Sequence, residues 1–201
     1  MTSTLDPRLA AALGGPTVDL AALRERLVAA AERDGLVDVA YRDVDSPFGP
    51  LLLAATPDGV VRIAFAGEGH DDVLAGLAHD VSPRVLSAPG RLDPVARQLD
   101  EYFAGHRRRF DVPVDLRLVR GFRRTVLEHL RTIDYGRTES YAQAAAGAGR
   151  PSAVRAAASA CSHNPVPIVV PCHRIVRSDG RPGHYGGGAD MKVALLRMET
   201  S

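Results

Sequence analysis

The chain has 201 residues, 45% hydrophobic and 24% charged, with a formal net charge of +1. That length can bury a sizeable core in one large or two small domains, and these proportions exclude a disordered or fibrous chain. No apolar run reaches membrane-spanning length, and Met1 to Asp6 lacks the basic start and apolar core of a secretion signal, so a cytoplasmic protein with no membrane partner is expected. In a reducing compartment the two cysteines, Cys161 and Cys172, read as free thiols. They are too few for a thiolate zinc site, although the seven His leave a mixed one open; no metal and no cofactor is expected. Residues 1–104 carry 9 basic and 16 acidic side chains, a charge of −7, whereas residues 105–201 carry 16 and 8, a charge of +8. A basic half suggests a polyanionic partner, nucleic acid first, while solvated faces at Arg107-Arg108-Arg109 and Arg123-Arg124 are the plainer reading of the same charges.

In chain order, residues 1–39 read as a loose Ala/Leu/Gly/Pro segment followed by an amphipathic helix. Leu20, Leu23, Leu27 and Ala31 recur at helical spacing after Thr17 and Asp19, either of which could cap, and Gly35 ends the run. Residues 40–110 read as a small α/β domain. Val39 to Val44, Leu51 to Thr56 and Val60 to Phe65 are strands of an antiparallel meander, turning at Ser46-Pro47-Phe48-Gly49-Pro50 and Pro57-Asp58-Gly59. Asp71 to His79 is a helix and Ser82 to Gly90 a connection. Pro94 to Ala104 is a second helix burying Val95, Leu99, Tyr102 and Phe103, stopped by Gly105. Phe110 to Leu116 fits an edge strand or an extended linker. Residues 111–201 open with a helix over Gly121 to Thr132, its inward face Phe122, Val126, Leu127 and Leu130. Tyr141 to Ala146, a turn at Gly147 to Pro151, and a helix from a Ser152 cap to about Cys161 then suggest a helix-turn-helix. The last helix of that pair is nearly all Ala and Ser, with Arg155 as its one large side chain, so its backbone can lie close against another surface.

The stretch Asn164-Pro165-Val166-Pro167-Ile168-Val169-Val170-Pro171-Cys172-His173-Arg174 carries the chemistry. Ile168 to Val170 reads as a short buried strand that Pro171 terminates, which would deliver Cys172 at a rigid end. By itself Cys172 could equally be a small buried hydrophobe. If the chain is extended there, Cys172 and His173 point to opposite faces, so a water, or a turn after Pro171, is needed for the imidazole to take the thiol proton and release the nucleophilic thiolate. Glu199, at the end of a helix over Asp190 to Met198, is the best-placed acid to orient His173, and an exposed C-terminal acid is its simpler reading.

This stretch resembles the active-site signature of the O6-alkylguanine-DNA alkyltransferases, the methylated-DNA:protein-cysteine methyltransferases. The similarity runs through Phe122 to Leu130, Tyr135-Gly136, Ser140-Tyr141, Arg155, Tyr185-Gly186-Gly187 and Leu195-Leu196 to Glu199, and upstream through Ser46 to Ala54 and Leu99 to Phe110. It implies an α+β protein: an α/β amino-terminal domain with a small antiparallel sheet, and a winged-helix-like carboxy-terminal domain with the helix-turn-helix and the site. It also implies DNA repair by direct reversal. An alkylated guanine is flipped out of double-stranded DNA, and its O6-alkyl group passes once and irreversibly to the thiol, with O4-alkylthymine left open as a second substrate. By resemblance Cys172 is the acceptor, His173 the water-mediated base, Glu199 its orienting acid, and Asn164 part of the same network. Tyr141 donates to guanine N3. Arg155 enters the base stack while Ser152, Ala156 and Ser159 lie along the minor groove. Ile175, Tyr185, Gly186, Gly187 and Lys192 belong to the substrate pocket. The implied protein is a monomer that could assemble cooperatively on DNA. Gly186 stands where relatives carry Ser or Trp, which implies an open pocket; His163, His184 and Cys161 have no assigned part. Three other readings compete: a base-flipping sensor without the acceptor thiol, which Cys172 argues against; a turnover thiol hydrolase, which leaves the basic half unused; and a transcription factor, for which 39 extra residues are too few.

Overall fold

The computed structural model describes residues 19–200, apart from the side chain of Arg24. Residues before 19, including the loose segment and the Thr17 capping alternative, lie outside it. Two compact units are present, one ending at Leu36 and one running from Val37. In the first, helix α1 (Leu20–Arg33) is capped by Asp19, whose carboxylate accepts from the N–H groups of Ala21 and Ala22. Leu20, Leu23 and Leu27 remain exposed on it.

The second unit opens with β1 (Val39–Val44), β2 (Leu51–Thr56) and β3 (Gly59–Phe65), the expected meander. The Ser46 hydroxyl tightens the first turn by donating to the Gly49 carbonyl and accepting from Phe48 N–H. Helix α2 (His70–Asp80) follows. Part of the expected connection over residues 82–90 is instead a strand, β4 (Val85–Ser87), paired parallel with β1, so the sheet is mixed with order β3-β2-β1-β4. A three-residue strand has too little pattern to stand out from a loop; its pairing comes from the docking of α2, whose crossover returns the chain alongside β1. Every residue of β2 is buried because both faces are covered. Leu51, Leu53 and Ala55 share a core with Val95, Leu99 and Tyr102 of helix α3 (Asp93–Phe103), while Ala54 packs with Val39, Val61 and Leu77 beneath α2.

After α3 the chain crosses outside β3. Val60 N–H donates to the Pro113 carbonyl and Asp115 N–H to the Val60 carbonyl, so the 110–116 stretch is a linker with one bridge at Val114. Helix α4 (Phe122–Leu130) buries Val126, Leu127 and Leu130. Strand β5 (Glu139–Ser140) leads into α5 (Tyr141–Gly147), where Ser140 and Gln143 form a capping box. Helix α6 (Val154–Ser162) completes the helix-turn-helix. Ser152 does not cap it: Ala153 N–H closes a turn on the Arg150 carbonyl, moving the first helical residue to Val154 and leaving Ala153 at the cap with no side-chain acceptor. Strand β6 (Ile175–Val176) pairs parallel with β5, and helix α7 (Ala189–Thr200) ends the described chain. One core spans both lobes, from Leu53 and Ile63 through Leu127 to Ile175 and Leu195. No described helix is long and apolar enough to cross a membrane.

Candidate active site

The segment before Cys172 is not a strand. Ile168 takes φ 72°, and Val169 N–H reaches back to the Pro167 carbonyl at 2.9 Å, a γ-turn; Pro171, at φ −82° and ψ 61°, centres an inverse γ-turn closed by Cys172 N–H on the Val170 carbonyl at 2.8 Å. Three prolines deny the stretch the N–H groups a ladder needs, so β-branched composition loses to backbone chemistry here. A β-branched residue at positive φ carries strain of about 1–3 kcal/mol and persists where the surroundings over-determine it. Those surroundings are the full burial of Ile168 and the Asn164 amide, which donates to the Val170 carbonyl at 2.8 Å and accepts from Val166 N–H at 3.0 Å. The Pro165 carbonyl accepts from Ile63 N–H on the outer edge of β3, fixing the turn to the sheet.

Cys172 then starts a turn of 3-10 helix through Arg174, so that a turn, one of the two routes named for the imidazole, does follow Pro171. The Asn164 amide nitrogen lies 3.1 Å from Cys172 Sγ, so one side chain shapes the turn and donates to the thiol. Behind it, His173 Nε2 is 2.9 Å from Glu199 Oε1. Glu199 also accepts from the Tyr102 hydroxyl at 2.6 Å, from Arg174 Nε and Nη2 at 2.9 Å each, and from Gly136 N–H at 3.2 Å. With Nε2–H donated to the carboxylate, His173 Nδ1 is left as a lone-pair nitrogen, buried and without a protein partner among the described residues.

Burial pushes the Cys172 thiol above its ordinary range, against opposing pulls from Asn164 and Lys192, and burial likewise pushes His173 down despite Glu199. The resting pair is therefore neutral thiol and neutral imidazole. Burial alone would raise Glu199, but hydrogen bonds from His173 and Arg174 outweigh it and hold the carboxyl well below the usual range. The site thus has a permanent anion waiting for an imidazolium.

Cys172 and Asn164 open on a cavity of about 440 Å³, also lined by Gly186, His163, Cys161 and Phe65. Tyr185 is buried with its ring 6.3 Å from that of His173, and its hydroxyl has no partner among the described residues. Gly187 is half-buried beside exposed Gly186. Lys192 is fully buried and donates to the Ile175 carbonyl, which keeps a second lone pair for a ligand. Tyr141 is half-buried at the head of α5. On α6, Arg155 is exposed and Ala156 and Ser159 half-buried, with Ser152 exposed in the preceding turn. Burial pushes the Cys161 thiol up to about 12, which makes it inert, and His163 and His184 are exposed. Among the described residues no cluster of three His, Cys, Asp or Glu side chains could hold a metal ion. Sequence reasoning missed Tyr102 and Arg174 as partners of Glu199. Arg174 adjoins His173 and was within reach of inspection, whereas Tyr102 lies 97 residues from Glu199 and only the fold joins them.

Residues 39–116 match the model of the 6-O-methylguanine DNA methyltransferase ribonuclease-like domain, and residues 121–201 that of the same family's DNA binding domain. Among curated relatives, the methylated-DNA--protein-cysteine methyltransferase of Mycobacterium tuberculosis is 38% identical over 81% of this chain and 93% of its own, and the constitutive Bacillus subtilis protein 33% over 79% and 94%. The crystal structure of Mycobacterium tuberculosis O6-methylguanine methyltransferase superposes with a TM-score of 0.69 at 37% identity, covering 81% of this chain and 93% of that one. The Mycobacterium tuberculosis protein in complex with DNA gives 0.67 at 37% identity, covering 80% and 92%. Two family models in tandem and relatives above 30% identity along nearly their whole length establish that the chain belongs to the 6-O-methylguanine DNA methyltransferase family.

Proposed function

We propose that this protein repairs DNA by direct reversal, moving the alkyl group of O6-alkylguanine to Cys172 once per molecule. The observation that carries the reading is the buried relay from Glu199 through His173 toward a thiol that lines an open cavity and is held by Asn164. Double-stranded DNA would bind through its minor groove along α6, where Ala156 and Ser159 allow close approach and Arg155 is free to enter the stack. The flipped guanine would occupy the cavity beside Gly186 and Gly187, its amine read by the carbonyls of Cys172 and Ile175. The protein acts as a monomer in the cytoplasm.

In the reaction the thiol proton passes through a water to His173 Nδ1, and Glu199 stabilises the imidazolium that forms. Sγ forms a bond to the alkyl carbon as the carbon–O6 bond breaks, and the electron pair stays on the guanine. Tyr141 donates to N3 to stabilise that charge. The thioether on Cys172 has no route back to a thiol, so each molecule is spent after one transfer.

The test is intact-protein mass spectrometry after incubation with duplex DNA holding one O6-methylguanine. Wild type should gain a single methylene mass on the Cys172 peptide and stop at one equivalent, while Cys172→Ser gains none. Tight binding with no mass gain would move the protein to the damage-sensing class, and release of free alkyl product with repeated turnover would make it a hydrolase.

A further inference from the structure

The cavity on which Cys172 opens takes its walls from both lobes, and Phe65, the last residue of β3, brings an aromatic ring to it from the sheet lobe. Phe65 is held at its backbone by pairing with Leu51 of β2 and by its N–H, which donates to Glu68 Oε1 at 2.9 Å. It is only 6% exposed, and its ring centroid lies 5.7 Å from that of Tyr185. A wall built on a paired strand keeps its place better than one built on a loop.

The same ring packs on the glycines after Tyr185. At Gly187 a Cβ would lie 3.2 Å from Phe65 Cζ and would collide with Met191 Sδ of α7, so bare backbone is required there. Gly186 differs. Its φ is not positive, so its backbone accepts a side chain, and a Cβ there would meet Phe65 Cε2 at 3.7 Å and Cδ2 at 3.9 Å, ordinary contact. The nearest atoms a side chain at 186 would meet are therefore those of Phe65. Residue 186 and the ring compete for one place on the cavity wall; Gly186 leaves it empty and Phe65 fills it.

We infer that Phe65 is a specificity-determining residue for alkyl transfer: its ring, reaching in from the sheet lobe, sets how large an O6-substituent fits beside Cys172. The inference rests on the proposed function and deepens it, giving the sheet lobe a part in choosing the substrate. A methyl group ends at the carbon that Sγ attacks and asks little of this wall. A larger substituent continues past that carbon and must run along the ring or displace it. Displacement is opposed by Tyr185 and by the glycine backbone packed on the ring, so size is read by the fixed sheet lobe and not by the loop alone.

The experiment is single-turnover transfer at saturating protein from duplexes holding O6-methylguanine or O6-benzylguanine, for wild type, Phe65→Leu, Phe65→Ala and Phe65→Ala/Gly186→Leu. The readout is the ratio of benzyl to methyl rate, in which any loss common to both substrates cancels. Phe65→Ala should raise the ratio about tenfold, the discrimination an apolar pocket draws from small changes in volume. Phe65→Leu should raise it less, and because it keeps an apolar side chain under the loop it carries the test where Phe65→Ala does not fold. Adding Gly186→Leu to Phe65→Ala should refill the space from the loop side and bring the ratio back toward wild type. Equal slowing of both substrates would make Phe65 a packing residue and overturn the inference, and so would a falling ratio, which would mean that the ring attracts the benzyl group. A raised ratio that Gly186→Leu leaves untouched would put the wall elsewhere and also overturn it. Failure of the underlying reading is distinct, since wild type would then transfer neither group.

Discussion

Glu199 gathers more of the site than any other side chain, and its partners differ in kind. His173 meets it through one ring N–H and Arg174 through Nε and Nη2, whereas Tyr102 offers a neutral hydroxyl. Removing the carboxylate charge leaves Arg174, only 6% exposed, as a buried cation without an anion. Breaking such a pair from one side costs about 3–5 kcal/mol. Glu199→Gln, which keeps the shape, should therefore lower the unfolding free energy in denaturant titration by that order and slow transfer as well. Replacing both members, Glu199→Gln with Arg174→Met, removes the stranded charge. That double variant should recover much of the lost stability and none of the lost rate, which would separate the acid's structural role from its part in stabilising the imidazolium. Recovery of both together would mean Glu199 serves only the fold.

At the scale of elements, the parts of the sequence with long periodic patterns were legible. Helices α3 and α4 appear within about two residues of expectation, because their apolar faces recur over two or three turns and Gly105 and Gly121 bound them. Short or proline-rich pieces were not. The Ile168 to Val170 run has strand composition, yet it folds into γ-turns because what decides it is the placing of proline and the Asn164 amide. Cys172, Asn164 and His173 could be named from one contiguous stretch, whereas the Glu199 network depends on contacts that no local pattern encodes. Gly136 shows how a connection positions chemistry. It sits at φ 73° after α4, gives its N–H to Glu199, and would place a Cβ 2.8 Å from the Glu199 carbonyl oxygen. Backbone on both sides leaves nothing able to move aside. Gly136→Ala should cost about 1–3 kcal/mol in denaturant titration and should slow transfer beyond what the stability loss explains, because it tilts α7 and Glu199 with it. A variant with lower stability and an unchanged transfer rate would show that the end of α7 can shift without disturbing His173.

Across the whole molecule, the Tyr102–Glu199–His173 chain joins α3 of the sheet lobe to the turn that carries Cys172, within one continuous core. Acid should therefore act on both lobes at once. His173 is buried neutral with its pKa pushed down, so the unfolded chain binds a proton that the folded one refuses, and stability begins to fall as pH drops below the ordinary imidazole value of 6.5. Glu199 is held far below its ordinary 4.5, so its contribution is complete above that value and is lost progressively as the pH falls toward the folded value. The two losses have the same sign and follow one another. Melting temperature should be flat from neutral pH upward through pH 8, decline below about pH 6.5, and decline more steeply below 4.5. The Glu199→Gln/Arg174→Met variant should keep the first decline and lose most of the second, because only the carboxylate has been removed. Probes on the two lobes should report the same midpoint throughout. Loss of the carboxy-terminal lobe at a pH where the sheet lobe remains folded would show that the shared core, and not the Glu199 network, is the weaker link between them.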